Sequence, residues 1–159
     1  MKIFFIIYNM LKPKNYSKFM YVVYNNINVI DGIEISLENV RKEPIIRFDR
    51  IGNANKGKYH LFVIVDKDAL GKFFVHYCIY NIEGDNIDKS DMLYSYLAPS
   101  PPMNTGKHHY YCILYEYNTK LNEFSINKRT FDKFEEFKKL FKTKIIAKAS
   151  KYFICYYGN

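Results

Sequence analysis

The sequence predicts a mainly β protein: an antiparallel β-sandwich with one or two peripheral helices. Of its 159 residues, 18% are aromatic, all of them Tyr or Phe, and such side chains pack well on pleated strands. Segments 59–65, 73–82 and 110–117 are almost continuously apolar, which is typical of central strands covered on both faces. Only segment 130–141 carries a clear helical stripe of apolar side chains.

The other predicted elements are shorter. Residues 33–37 alternate between apolar and polar side chains after an Asp-Gly turn, the pattern of a half-buried strand. Residues 88–96 space their apolar side chains poorly for a strand and predict one or two helical turns. In the 130–141 helix, Thr130 is the expected N-cap, and acidic residues precede basic ones as the helix dipole favours. Residues 3–8 are expected to form a first strand or a packed N-terminal arm, and further short strands are predicted at 20–24, 45–48, 144–147 and 152–157.

Composition limits the class of function. The length fits a single domain over residues 1–159, and the formal net charge of +8 favours anionic ligands. The lysines are scattered, and no basic run is interleaved with aromatics, so dedicated nucleic-acid binding is not expected. The apolar run at 3–8 is too short for a signal peptide, and no stretch approaches the roughly 18 apolar residues of a membrane span. We expect a soluble protein.

The three cysteines indicate a reducing compartment. Cys78, Cys112 and Cys155 are odd in number, widely spaced and embedded in apolar runs. This pattern predicts buried, reduced thiols rather than disulfides or a zinc site. We therefore expect a cytoplasmic protein with no metal and no cofactor.

Two motifs in the first half of the chain carry polar side chains that could serve a site. Asp66 and Asp68 follow an apolar strand, and a period of two would aim both carboxylates to one side if the strand continues. Acids at such a place also form turns by bonding to nearby backbone. His76 lies inside an apolar strand, a position more typical of a core histidine than of a ligand.

Two further motifs lie later in the chain. Residues 100–106 contain two prolines, an Asn and a Gly, and predict a stiff loop whose backbone N–H groups could face an anion. His108, His109 and Tyr110 then open the strongest strand. His108 and Tyr110 share one face of that strand, whereas His109 points the other way.

Taken in order, these motifs resemble the phosphatidylethanolamine-binding protein family, which includes the Raf kinase inhibitor protein and the plant flowering regulators. The run Asp66-x-Asp68-Ala69 is similar to the family's Asp-Pro-Asp-Ala-Pro signature. The run Pro101-Pro102-x-x-Thr105-Gly106-x-His108-x-Tyr110 is similar to its Gly-Pro-Pro-x-Gly-Thr-Gly-x-His-Arg-Tyr core, and His76 lies between the two signatures. The resemblance is clearest over residues 33–157 and implies the β-sandwich of that family.

The resemblance also implies a pocket for an anion, usually a phosphate group. The expected anion-binding residues are Asp66, His76, Ser100, Pro102, His108 and Tyr110. The expected supporting residues are Asp68, Pro101, Thr105, Gly106 and His109. Histidine and tyrosine can donate hydrogen bonds to phosphate oxygens.

Five positions depart from the family pattern, and one of them is Ser100, which replaces the glycine before the two prolines. Lys67 and Leu70 replace the two prolines of the first signature, so we expect a less rigid loop there. Asn104 replaces a loop glycine. His109 replaces an arginine that, in the family, helps tie the site together by pairing with an acid. The chain also ends soon after the last strand, without the C-terminal helix of animal members, so a more open pocket is expected.

Three functions remain open on this sequence. The first is a non-enzymatic binding or regulatory protein for phospholipid head groups, nucleotides or phosphorylated side chains, with a protein partner such as a kinase. The second is a structural or interaction protein, for example a viral one, with a vestigial pocket. The third and least expected is a hydrolase with Asp66 and His108 as an acid–base pair and Ser100 as the nucleophile; no residue is assigned as catalytic, because Ser100 lacks the sequence context of an activated nucleophile.

Overall fold

A computed structural model of the chain describes residues 20–48 and 57–158, and these form two sheets, a short α-helix and a single 3-10 turn at Ile87–Lys89. The α-helix, α1, spans Phe134–Lys139. The strands are β1 Met20–Tyr24, β2 Ile27–Asn28, β3 Ile33–Glu34, β4 Ile45–Phe48, β5 Tyr59–Ala69, β6 Lys72–Glu83, β7 Asp91–Tyr94, β8 His108–Tyr117, β9 Thr130–Phe131 and β10 Ile146–Cys155. The mainly β prediction is confirmed.

The larger sheet has the order β3-β10-β8-β5-β6-β7, and β9 pairs with the beginning of β6. All its pairings are antiparallel except that of β3 with β10. The smaller sheet has the order β2-β1-β4 and is antiparallel throughout. Strands β5, β6 and β8 are long and nearly fully buried, as their continuous apolar sequences predict.

The larger sheet is covered on both faces, which places a core layer on each side. On one face, Met20 and Val22 of the smaller sheet pack with Phe62 and Phe153 of the larger one. On the other face, α1 and the segment before it pack against side chains such as Leu61. Because the central strands are buried on both sides, their side chains can reach a ligand only where the strands end.

The helix predicted at 130–141 is shorter than expected. Thr130 and Phe131 form β9 through pairing with Phe74 and Phe73 of β6, and α1 begins only after Lys133. The predicted N-cap at Thr130 is therefore wrong, because Thr130 is paired with β6 as part of a strand. The apolar stripe is still core, as predicted, and its buried members include Phe137.

Three other elements differ from the sequence-based expectation. Within 88–96, the helical part is the one 3-10 turn, and Asp91–Tyr94 is a strand because it pairs with β6. The predicted strands at 144–147 and 152–157 are one strand, β10, which continues through a register shift between Ala147 and Ala149. Of the residues predicted as a strand at 33–37, only the first two form one, as β3. The run at 3–8 lies outside the described residues.

The three cysteines are buried and free, as predicted. None of the described helices has the length and apolar composition that a membrane span requires.

Candidate functional site

The strands β5, β6 and β8 bring the predicted site residues to one end of the larger sheet. Asp66 lies opposite Tyr110 in the pairing of β5 with β8, and His76 lies on β6, the other neighbour of β5. The segment between β7 and β8 closes this end and contains the Pro-Pro sequence. A cleft of about 420 Å³ opens there. Its walls include all the predicted anion-binding residues: Asp66, His76, Ser100, Pro102, His108 and Tyr110.

His108 is held on both sides of its ring. Its Nδ1 lies 2.7 Å from Oδ2 of Asp66, and both side chains are almost completely buried. Its Nε2 lies 2.9 Å from Oγ1 of Thr105, whose hydroxyl also donates to the carbonyl of Pro102 at 2.7 Å. Because that hydroxyl has a single proton, all three contacts are satisfied together when both ring nitrogens of His108 donate.

The loop around Thr105 depends on residues that tolerate unusual backbone. Asn104 has φ +63° and Gly106 has φ +78°, in the left-handed region that Asn and Gly adopt more readily than other residues. This turn folds Thr105 back onto Pro102, where it reaches His108. Asn104 therefore performs the conformational task that the family assigns to a glycine.

His76 is also fixed in orientation. Its Nδ1 donates to the carbonyl of Leu97 at 2.7 Å, and the Leu97 N–H donates to the His76 carbonyl at 2.8 Å. The ring packs against Phe74 and, edge to face, against Tyr110 with 5.2 Å between centroids. Burial lowers the pKa of His76, although the Leu97 carbonyl and Asp66 oppose this. The neutral ring is therefore favoured, with its proton on Nδ1.

Tyr110 provides a neutral hydroxyl. Burial, followed by the charge of Asp66, raises the pKa of Tyr110 far above its ordinary value, so the phenol keeps its proton. The ring stacks on Phe153 with centroids 5.2 Å apart, which holds the hydroxyl in place. The hydroxyl has no hydrogen-bond partner within residues 20–48 and 57–158, so it can donate to a ligand.

Asp68 and His109 form a second pair beside the cleft. Oδ2 of Asp68 accepts from the His109 backbone N–H at 2.9 Å and lies 2.7 Å from its Nδ1. The Asp68 N–H in turn donates to Oδ1 of Asp66 at 2.8 Å. The two carboxylates do not point to one side, because the strand pairing shifts between Asp66 and Ala69. Asp66 lines the cleft, and Asp68 ties the end of β5 to β8.

A model of the phosphatidylethanolamine-binding protein family matches residues 24–153. The chain belongs to this family. Solved structures share the fold: a carboxypeptidase Y inhibitor bound to its cognate proteinase has a TM-score of 0.76 at 18% identity, over 99% of this chain and 93% of that one. The Plasmodium vivax family member has a TM-score of 0.68 at 16% identity, over 99% and 95%. A homologue from Chlamydia trachomatis has 0.61 at 19%, over 90% and 100%.

The first signature is stabilised differently from the family pattern. Leu70 and Gly71, with φ +53° and +77°, form a two-residue turn that joins β5 directly to β6. The Leu70 N–H donates to the Asp68 carbonyl at 2.8 Å. Although the family's prolines are absent, the two acids lie within a strand of a tight hairpin rather than in a loose loop. His109, which replaces the family's arginine, still pairs with an acid.

Several cleft residues escaped the sequence analysis. Lys72, Phe74 and Leu97 line the cleft, and Lys72 is the one cation among the described lining residues. Lys72 also pairs with Asp132 at 3.1 Å on the surface. Proximity to the signature motifs could have identified Lys72. The other additional lining residues are Ala69, Leu70, Ala98 and Thr130, and Pro101, which the sequence analysis expects as a supporting residue, also lines the cleft.

Arg129 supports the wall of the cleft from behind. Its guanidinium donates to the carbonyls of Val75, His76 and Ser95 at 3.0–3.3 Å and lies over the Tyr94 ring. It therefore holds the segment that leads to Leu97 against β6. No sequence signal identifies this residue, because its partners are backbone carbonyls of distant segments.

Proposed function

We propose that this cleft binds a phosphate-bearing ligand and that the protein is a non-enzymatic binding or regulatory protein. One observation carries the proposal: six side chains from separate parts of the chain surround a single cleft at the end of the larger sheet. Membership in a family that is named for phospholipid binding supports a binding role. The formal net charge of +8 favours an anionic ligand.

The polar groups of the cleft suit a small oxyanion. Tyr110 offers a neutral O–H donor, Ser100 offers a hydroxyl, and Lys72 supplies positive charge at the wall. His108 has both nitrogens engaged, with Asp66 and Thr105, so it shapes the wall of the cleft rather than making a direct hydrogen bond to the ligand. The remaining wall is largely apolar, which leaves room for the group attached to the phosphate.

The arrangement supports binding more than hydrolysis. A serine nucleophile requires a base within hydrogen-bond reach. Within the described part of the chain, no hydrogen bond joins Ser100 to a histidine or a carboxylate, and Asp66 is already committed to His108 and to the Asp68 N–H. We therefore assign Ser100 to the wall of the cleft.

The test is a titration of the isotope-labelled protein with phosphoethanolamine in the millimolar range, followed by backbone NMR. We expect saturable shifts at His76, Ser100 and Tyr110. Lys72→Gln should weaken the affinity several-fold because it removes the cation of the cleft wall. Lys58→Gln is the matched control, since Lys58 forms ion-pair and hydrogen-bond contacts at the opposite end of the sheet. Absence of any shift in the cleft would instead support the structural or interaction role with a vestigial pocket.

A further inference from the structure

The free nitrogen of His76 is a hydrogen-bond acceptor in the cleft. A backbone carbonyl can only accept, so the 2.7 Å contact of Nδ1 with Leu97 places the ring proton on Nδ1. In a neutral ring, the other nitrogen, Nε2, then carries a lone pair. Among the described residues, the only buried side-chain polar atom without a partner is Nδ1 of His60. Nε2 of His76, which has no partner there either, is therefore accessible, and the ring lines the cleft.

The neighbours of His76 keep its ring neutral on balance. The titratable and charged groups around it are Asp66 of β5, His108 and Tyr110 of β8, Arg129 before β9, and Lys72 on its own strand. Asp66 favours a charged ring, whereas His108 and Arg129 oppose it. Burial is the largest effect and lowers the pKa of His76. Besides the Ser100 hydroxyl and the Lys72 ammonium at its wall, the free cleft therefore combines one buried O–H donor, from Tyr110, with one ring acceptor, from His76.

A fully ionised phosphate would fit this pair of groups poorly. All its oxygens are acceptors, so one of them would face the lone pair of His76 Nε2. It would also bring two negative charges close to the buried carboxylate of Asp66. A phosphate monoester that retains one proton avoids the first problem and halves the second, because its P–OH donates to His76, another oxygen accepts from Tyr110, and it carries one negative charge instead of two.

We propose that the cleft selects phosphate monoesters in their protonated, singly charged form, and that it discriminates against sulfate esters of the same shape. A sulfate monoester is also a singly charged tetrahedral anion, but it has no proton to donate at neutral pH. The inference rests on the proposed function, since it specifies which form of the anion the same cleft takes. The selection comes from a fixed acceptor in the cleft, not from total charge.

The experiment compares phenyl phosphate with phenyl sulfate by calorimetry or NMR at pH 6 and pH 8 and constant ionic strength. At pH 6, phenyl phosphate should bind at least about ten-fold more tightly than phenyl sulfate. The affinity for phenyl phosphate should fall by at least about ten-fold between pH 6 and pH 8. With a second phosphate pKa near 6, the protonated fraction falls from about one half to about one hundredth over this interval.

Two variants separate the roles of the cleft groups. Tyr110→Phe should weaken both esters and leave their ratio unchanged, because the Tyr110 hydroxyl can donate to either. His76→Gln should bring the ratio close to one, because a carboxamide can donate as well as accept. The backbone NMR spectrum checks that each variant is folded. If His76→Gln does not fold, the ratio in the unaltered protein at the two pH values decides.

Equal affinities for the two esters at pH 6 would overturn the inference and leave the proposed function intact, because the cleft would then donate to the anion from His76. A phenyl phosphate affinity that does not change with pH would overturn it in the same way. Binding of neither ester at either pH would overturn the proposed function together with the inference.

Discussion

The two ends of the β5–β8 pair both place a buried histidine beside a carboxylate, but with different results. At the cleft end, His108 lies 2.7 Å from Asp66 and uses both ring nitrogens. At the far end, His60 Nε2 lies 3.7 Å from Glu116, and Nδ1 has no hydrogen-bond partner in the described part of the chain. Burial lowers the pKa of His60, although Glu116 opposes this.

The difference comes from the backbone. His60 and Glu116 lie directly opposite each other in a regular ladder, so the strand spacing sets the distance between their side chains. At the cleft end, the 100–106 loop folds back, which brings Thr105 and the buried acid onto the same ring. A loop that folds back can therefore supply the second partner of a buried histidine, whereas the strand ladder alone only brings groups close together. The next three changes test this contrast, from the largest expected effect to the smallest.

Removing the acid should cost far more stability at the cleft end. Asp66→Ala leaves His108 buried without its partner, a loss of about 3–5 kcal/mol for a buried pair. Glu116→Ala breaks a longer, partly exposed arrangement that includes Lys148 and should cost about 1 kcal/mol or less. Urea unfolding at pH 7 measures both values. Equal losses for the two variants would mean that the geometric difference has no energetic consequence.

Acid should destabilise the protein through its two neutral buried histidines. The pKa values of His60 and His76 are lowered in the folded protein, so the unfolded chain binds more protons. Stability is then complete above the unfolded histidine pKa of about 6.5 and falls as the pH drops from there toward the folded values. Each histidine contributes a slope of at most about 1.4 kcal/mol per pH unit.

The variant His60→Gln shows how much of the loss of stability in acid comes from His60. Urea midpoints at pH 7.5, 6.5 and 5.5 should show a shallower decline for this variant than for the unaltered protein. The control variant Lys58→Gln changes a residue near His60 but leaves His60 in place. Its urea midpoint should decline with pH as steeply as that of the unaltered protein. An unchanged slope in His60→Gln would show that His60 does not titrate between its folded and unfolded states.

The smallest effect concerns the turn that ends β5. Leu70 is 80% exposed and has φ +53°, a conformation that costs a residue with a Cβ roughly 1–2 kcal/mol. Leu70→Asn creates an Asn-Gly pair, which this turn type prefers, and should raise the free energy of unfolding by about 0.5–1 kcal/mol. Ile30→Asn, another exposed apolar position but without a positive φ, should change stability by less than about 0.5 kcal/mol. A decrease for Leu70→Asn would mean that the leucine side chain stabilises the fold.

The local pattern of apolar and polar side chains predicted correctly those elements for which the sequence allowed a single interpretation. The apolar runs of β5, β6 and β8 identified the buried centre because covered strands need apolar side chains on both faces. Ambiguous segments depended on long-range partners. Thr130 and Phe131 belong to a helical sequence pattern, but they form a strand because they pair with β6.

The sequence by itself determined the mainly β class, the family signatures and six of the residues that line the cleft, because these follow from side-chain type and order. Only the tertiary structure decided what each group does there. Whether a ring nitrogen donates or accepts depends on partners far away in the chain, such as Leu97 for His76 and Thr105 with Asp66 for His108. Hydrogen bonds act over about 3 Å in space, and separation along the chain does not encode that distance.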